Sequence, residues 1–224
     1  MKKPGPKPRI INTAWTSDLA YVVGIFASDG NLGNDGMYLN VTSKDKEMLV
    51  NVLTILHQTH IKIGEKMGGY GTQAYQIQFK SVVLYKWFIS IGLTPNKSKT
   101  INTIKVPDKY FFDFLRGVWD GDGSIYSFWD TRWRSSFMFY ISFASSSNLF
   151  LKWLQKTTLR LLNIHGTIAT SKNSSVQHLR FAKKDSILLF DKMFSSNDPT
   201  YLTRKFTKAK KIFTINKRNT TKWK

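Results

Sequence analysis

The chain has 224 residues, 34 Lys plus Arg against 14 Asp plus Glu for a formal charge of +20, and no cysteine. The missing cysteine excludes a disulfide scaffold, a thiolate zinc site and cysteine catalysis, and 42% hydrophobic with 14% aromatic residues excludes global disorder. No apolar run reaches the ~18 residues of a membrane span, and the charge calls for a polyanionic partner, nucleic acid first.

The opening Met1-Lys2-Lys3-Pro4 has no apolar stretch behind it, so an intracellular protein of cytoplasm, nucleoid or organelle matrix is expected. Residues 1–14 read as a basic arm in which Pro4, Pro6 and Pro8 bar regular helix. An apolar pattern from Leu19 to Phe26, behind Thr16-Ser17-Asp18, predicts a helix ending at Ser28-Asp29-Gly30. Met37, Leu39 and Val41 alternate with Tyr38, Asn40 and Thr42, the period of a half-buried strand. A helix at about 44–57 follows. Gly68–Gly71 reads as a hairpin tip, and Ile77 and Phe79 then alternate with Gln76, Gln78 and Lys80. A helix at about 81–92 closes this half.

After Pro107-Asp108 a second apolar helix runs from Tyr110 to Trp119 and ends in Gly121-Asp122-Gly123. Phe139, Ile141 and Phe143 alternate with Tyr140, Ser142 and Ala144, and Leu179 and Phe181 with His178 and Arg180. Helices are expected at about 146–162 and 185–194. From 201 to 224 there are nine Lys or Arg and no acid, and residues 213–224 read as a basic tail.

These elements repeat. The two Asp-Gly pairs lie 93 positions apart, each with a glycine five residues before the acid, Gly24 and Gly117. Downstream the offset is 102: Tyr38 matches Tyr140, Ser43 matches Ser145, Gly64 matches Gly166 and Phe79 matches Phe181. The difference falls in a longer hairpin loop around 127–134, where insertions cost little. The expectation is an α+β chain of two pseudo-symmetric αββαββα repeats, 15–106 and 107–212.

Ala20, Gly24 and Ser28 share one helix face, as do Gly117 and Gly121, and such small-residue faces allow close helix approach. Side by side, the helix ends would bring Asp29 and Asp122 together. Divalent cations would relieve their repulsion, and oxygen ligands with phosphate select Mg²⁺, suited to phosphodiester cleavage. The strand faces carrying Tyr38, Asn40, Gln76, Gln78, Lys80, Tyr140, Ser142, His178 and Arg180 hold residue types that read base edges.

Val22–Gly30 and Leu115–Gly123, with Leu93–Ser98 and Tyr201–Lys205, resemble the monomeric, two-motif LAGLIDADG homing endonucleases over roughly residues 16–212. The resemblance implies a saddle of two sheets on the major groove of double-stranded DNA and metal-dependent cutting of both strands at a long target, by a monomer. It assigns Asp29 and Asp122 as metal-binding catalytic acids, the carbonyls of Ser28 and Gly121 as further metal-facing groups, and Gly24 and Gly117 as helix contacts. Lys97 and Lys205 match the basic residue near the scissile phosphates, with Lys99 competing for the Lys97 role. Mg²⁺ is the expected cofactor, Mn²⁺ a substitute, and Ca²⁺ an ion that binds without efficient cutting. Ala27 stands where the motif has an earlier acid, whereas Asp120 keeps it, as a capping residue rather than a ligand. The alternatives are an intron RNA maturase on the same scaffold and a non-catalytic DNA-binding protein.

Overall fold

The computed structural model describes residues 11–67, 71–133, 136–170 and 174–221. Most of the expected N-terminal arm, most of the Gly68–Gly71 tip, Arg134 of the long hairpin loop and the last three residues of the basic tail lie outside them. The first repeat begins with α1 (Ser17–Ser28), whose N-cap Thr16 accepts a hydrogen bond from the Leu19 N–H at 3.0 Å. There follow β1 (Gly30–Leu32), β2 (Tyr38–Ser43), α2 (Lys46–Ile55), β3 (Gly64–Met67), β4 (Gln73–Lys80) and α3 (Val82–Ile91). The strands form one antiparallel sheet in the order β1-β2-β4-β3.

The second repeat has the same succession. A 3₁₀ turn at Asp108–Tyr110 leads into α4 (Phe111–Asp122). Then come β5 (Gly123–Trp129), β6 (Phe137–Ser145), α5 (Asn148–Leu162), β7 (Thr167–Thr170), β8 (Gln177–Ala182) and α6 (Lys183–Met193). The sheet order β5-β6-β8-β7 reproduces the first. The expected α+β class and the αββαββα order of both halves are therefore present.

Period-2 burial explains the sheets. Leu39, Val41, Ile77 and Phe79 turn inward in one sheet, and Phe139, Ile141, Phe143, Leu179 and Phe181 in the other, all buried. Directly opposed residues share a face, so Tyr38, Asn40 and Thr42 stand beside Lys80, Gln78 and Gln76 on the outer face of the first sheet.

The stretch read as a basic tail differs. Residues Thr203–Thr221 form one helix, α7, running unbroken through position 213. Ala209 and Ile212 are buried, Phe206 packs 5.6 Å from Phe190, and Phe213 packs 5.5 Å from Phe139. An apolar stripe at helical spacing thus holds α7 against the second repeat, with lysines on its other faces.

α1 and α4 meet backbone to backbone. A Cβ on Gly24 would stand 2.1 Å from the Phe114 carbonyl oxygen, and one on Gly117 would stand 2.1 Å from that of Tyr21. The repeats also exchange caps. The Ser147 hydroxyl, at the α5 N-cap, accepts from Phe150 N–H and donates to the Ile101 carbonyl at 2.5 Å. At the corresponding place on α2, Asp45 receives both ends of the Arg204 guanidinium at 2.5 Å, and Glu47 receives Thr203.

Gly117→Ala should therefore cost about 3 kcal/mol or more, above the ordinary overpacking range because the obstructing atoms are backbone. For a chain of this size that lowers Tm by ~6–12 °C. Gly64→Ala is the control, because its Cβ would approach nothing closer than 3.8 Å. A calorimetric scan of the two variants checks this; equal melting temperatures would refute it.

Candidate functional site

The site is built by the ends of α1 and α4. Asp29 is the C-cap of α1, with its N–H bonded to the Ile25 carbonyl at 2.9 Å, and Asp122 is the last residue of α4. Close approach at Gly24 and Gly117 carries forward one helical turn. A Cβ on Gly121 would stand 1.9 Å from the Ser28 hydroxyl oxygen and 3.0 Å from Asp29 Oδ2. The Asp29 carboxylate thus lies across the helix pair against Gly121, next to Asp122. Among the described residues no hydrogen bond engages either carboxylate.

Burial pushes Asp29 up to about 7, and the charge of Asp122 adds to it, while Lys205 and Lys97 pull the other way. Asp122 is raised as well, by burial, against the opposing pull of Lys97 and Lys205. Each acid answers to both lysines, and Asp29 also to Asp122, so the structure brings together all four residues expected to form the catalytic centre.

The lysines are buried, Lys97 6% and Lys205 7% exposed. Lys97 Nζ donates to the Gly30 carbonyl and lies 3.5 Å from that of Ser28. Lys205 Nζ donates to the carbonyls of Trp119 (2.7 Å), Asp120 (2.8 Å), Gly121 (3.0 Å) and Gly123 (2.6 Å). Carbonyls at a helix end lack intrahelical partners and carry the negative end of the macrodipole, so each ammonium caps its motif helix. Burial lowers both lysines to about 8. The competing Lys99 is exposed and makes none of these contacts.

Asp120 does not join the acid pair. Its Oδ2 accepts from the Tyr21 hydroxyl at 3.0 Å and from the Leu202 N–H, just before α7, at 2.8 Å. Burial raises it to about 6 and, together with Asp120 itself, raises Tyr21 well above the usual phenol range. It caps α7 and ties it to α1. Ala27, buried at the corresponding place, has nothing of the kind to do.

Groups that hold a cation are present. Two unbonded carboxylates meet at the helix ends whose Ser28 and Gly121 carbonyls accept from Lys97 and Lys205, and oxygen donors of this kind suit a hard divalent ion. Among the described residues no group of three or more acids or histidines is placed to hold a metal ion. Beside Asp122, a concavity of about 250 Å³ is walled by Gly121–Ile125, Arg204, Lys205 and Lys208. Lys208, unforeseen as a site residue, is exposed there one α7 turn from Lys205.

The strand residues expected to contact nucleic acid fall on the outer faces, with one difference. Ser142 is 2% exposed, with its hydroxyl 3.4 Å from His178 Nδ1. It supports His178 rather than presenting itself. Tyr126 and Phe128 of β5 share the outer face with Tyr140 and were not anticipated: Ile125, Tyr126 and Phe128 put apolar groups on both faces, which erases the alternation that reveals a strand.

A family model described as LAGLIDADG-like domain matches residues 111–194. An uncharacterized protein of Methanocaldococcus jannaschii is 24% identical over 189 residues, covering 78% of this chain and 59% of that protein. Full-length DUF199/WhiA of Thermotoga maritima superposes with a TM-score of 0.59 at 13% identity, over 96% of this chain and 63% of its own. The chain thus spans less than two thirds of both. The homing endonuclease I-WcaI bound to its DNA recognition sequence gives 0.61 at 14% identity, over 91% of this chain and 93% of its own. I-DmoI in complex with DNA and Ca gives 0.59 at 16%, over 85% and 96%. Other matching I-DmoI structures hold DNA with Mn or Mg. What is shared at these identities is the fold.

The raised acid makes a pH prediction. A carboxyl that titrates at about 7 when folded and 3.8 when unfolded contributes stability that is complete below 3.8 and lost as pH rises through about 7. Without divalent metal, Asp29→Asn should gain stability over the unmodified protein progressively between pH 4 and 7, with no further gain above. Paired denaturant titrations across that range measure it; a constant difference would refute the buried, repelled carboxylate.

Proposed function

We propose that this chain, which carries a LAGLIDADG-like domain at 111–194 and the LAGLIDADG fold over both halves, is a site-specific endonuclease that cuts both strands of a long DNA target. The observation that supports this most strongly is the meeting of Asp29 and Asp122 at the α1–α4 ends, both raised by burial and unbonded, with an ammonium capping each helix. A purely structural turn needs one such end at most. This pair is duplicated, and the chain keeps both acids at the cost of mutual repulsion.

Asp29 and Asp122, with the Ser28 and Gly121 carbonyls, would hold Mg²⁺ or Mn²⁺, which when bound activates water and stabilises the leaving oxygen. Lys97 and Lys205 hold those carbonyls in place and set a positive field at the point of entry for phosphate. Arg204 and Lys208 extend that field beside Asp122. The sheets orient the duplex: β4 and β6, with 8 and 9 residues, each extend ~26–30 Å. Two such faces end to end cover roughly 16 bp, most of a target of about 20 bp. The duplex lies along the outer faces with Tyr38, Asn40, Gln76, Gln78, Lys80, Tyr140, His178 and Arg180 toward the major groove. No described helix is long and apolar enough to cross a membrane.

Incubation with a randomised duplex library in Mg²⁺, followed by sequencing of cut ends, tests the activity. Cutting should stop in EDTA and in Ca²⁺, which still supports binding. Asp29→Asn and Asp122→Asn should each reduce double-strand cleavage by roughly 10²-fold or more, as loss of one preorganised charge does, while affinity for DNA holds or rises. Wild-type cutting by both variants would overturn the assignment. A protein that never cuts duplex DNA but promotes intron splicing would be a maturase, and one that binds a defined site without cutting would be a non-catalytic DNA-binding protein.

The charge gives a second test. With at least six phosphates neutralised, log K should fall with log[salt] with a slope of about −5 or steeper. A nearly flat dependence would place the +20 charge away from the interface.

A further inference from the structure

The two sheets differ in the chemistry of the faces they turn outward. The first presents amides, hydroxyls, an amine and one isolated ring, with Asn40 opposite Gln78, Thr42 opposite Gln76, and Tyr38 opposite Lys80. The second presents rings. Tyr140 packs near-parallel against Tyr126 (5.5 Å, 21°) and Phe128 (6.2 Å, 12°), and Phe128 is 45% exposed. Small residues stand beside the rings: Ala182 lies opposite Tyr140, and Ala169, opposite His178, shares the same hollow. The rings, Arg180, Ala169 and Ala182 line a concavity of about 630 Å³. Arg180 Nε is buried there with no partner among the described residues.

Resting on the endonuclease reading above, we propose that the second sheet reads its half of the target through thymine methyl groups set against the Tyr126–Tyr140–Phe128 shelf, and through one guanine at Arg180, while the first sheet reads by hydrogen bonds. In the major groove thymine alone offers an apolar group, and Arg pairs with the O6 and N7 of guanine. Any other base edge set against the Phe128 ring would lose its water and gain no partner there. Tyr140 is packed against both other rings, which leaves it poorly placed to stack an unpaired base, and the exposed Phe128 offers ring carbon with no polar group for a methyl to meet. Tyr126 and Phe128 lie four and six residues past Asp122, ~13–20 Å along the strand. The methyls read are therefore those about four to six base pairs from the centre of the cut.

The test starts by selecting the bound sequence from random duplex DNA in Ca²⁺. Gln78→Ala marks the half read by the first sheet, and thymines are then replaced by uracil in one half at a time. Uracil at the shelf positions should weaken binding roughly fourfold per methyl lost, and this sensitivity should vanish in Phe128→Ser, an exposed position whose change spares the core. Uracil in the other half should have less effect. Equal or absent sensitivity in the two halves, or a second half without thymine at those positions, would each overturn the proposal and leave the endonuclease reading standing; tighter binding to single-stranded RNA would overturn both. If no sequence is selected at all, that reading falls as well.

Discussion

The contact between α1 and α4 governs the rest. Two glycines let the helix backbones touch, and the consequence is geometric. One turn on, Ser28 and Gly121 are against each other, and one residue further the chain delivers Asp29 and Asp122 to the same place. The helix pair is both the seam of the fold and the floor of the site. A side chain wedged at Gly24 or Gly117 would displace the acids along with the helices, so the same few atoms answer for stability and for chemistry.

The electrostatics follow from that constraint. Holding two carboxylates side by side, Asp29 half-buried and Asp122 nearer the surface, raises both above the usual carboxylate range and costs stability. The protein offsets part of this with Lys97 and Lys205 but commits their protons to backbone carbonyls, not to the acids. The negative helix ends are neutralised while the acids stay open to an outside cation. Lys205, with four carbonyl partners, is held harder than Lys97, and α7 is anchored at the same end through Asp120 and Asp45. The two halves are therefore alike in plan and unequal in rigidity.

Much of this was legible in the sequence, for physical reasons. The repeat register, the strand alternation and the small-residue spacing all report one-sided burial, and the sheets and the α1–α4 seam emerged where that signal was clean. The signal failed where both faces of an element are apolar, as in β5 with Ile125, Tyr126 and Phe128. It failed again where charge swamps a stripe: Phe206, Ala209 and Phe213 sit at helical spacing in α7, but the lysines between them read as a tail. The family resemblance could bring the lysines to the acids. It could not show that their ammonium groups cap helices, because a cap is a three-dimensional fact about which carbonyls are left over.

The seam also has a history in the making of the protein. Its two glycines are 93 residues apart in the chain, and at about 5–20 residues per second a ribosome takes some 5–20 s to bridge that interval. Throughout that time α1, buried on nearly every side in the finished molecule, has emerged without the helix that covers it. The slow event in the birth of this fold is the wait for α4, during which a bare apolar helix must be shielded by the rest of its own repeat or by a chaperone.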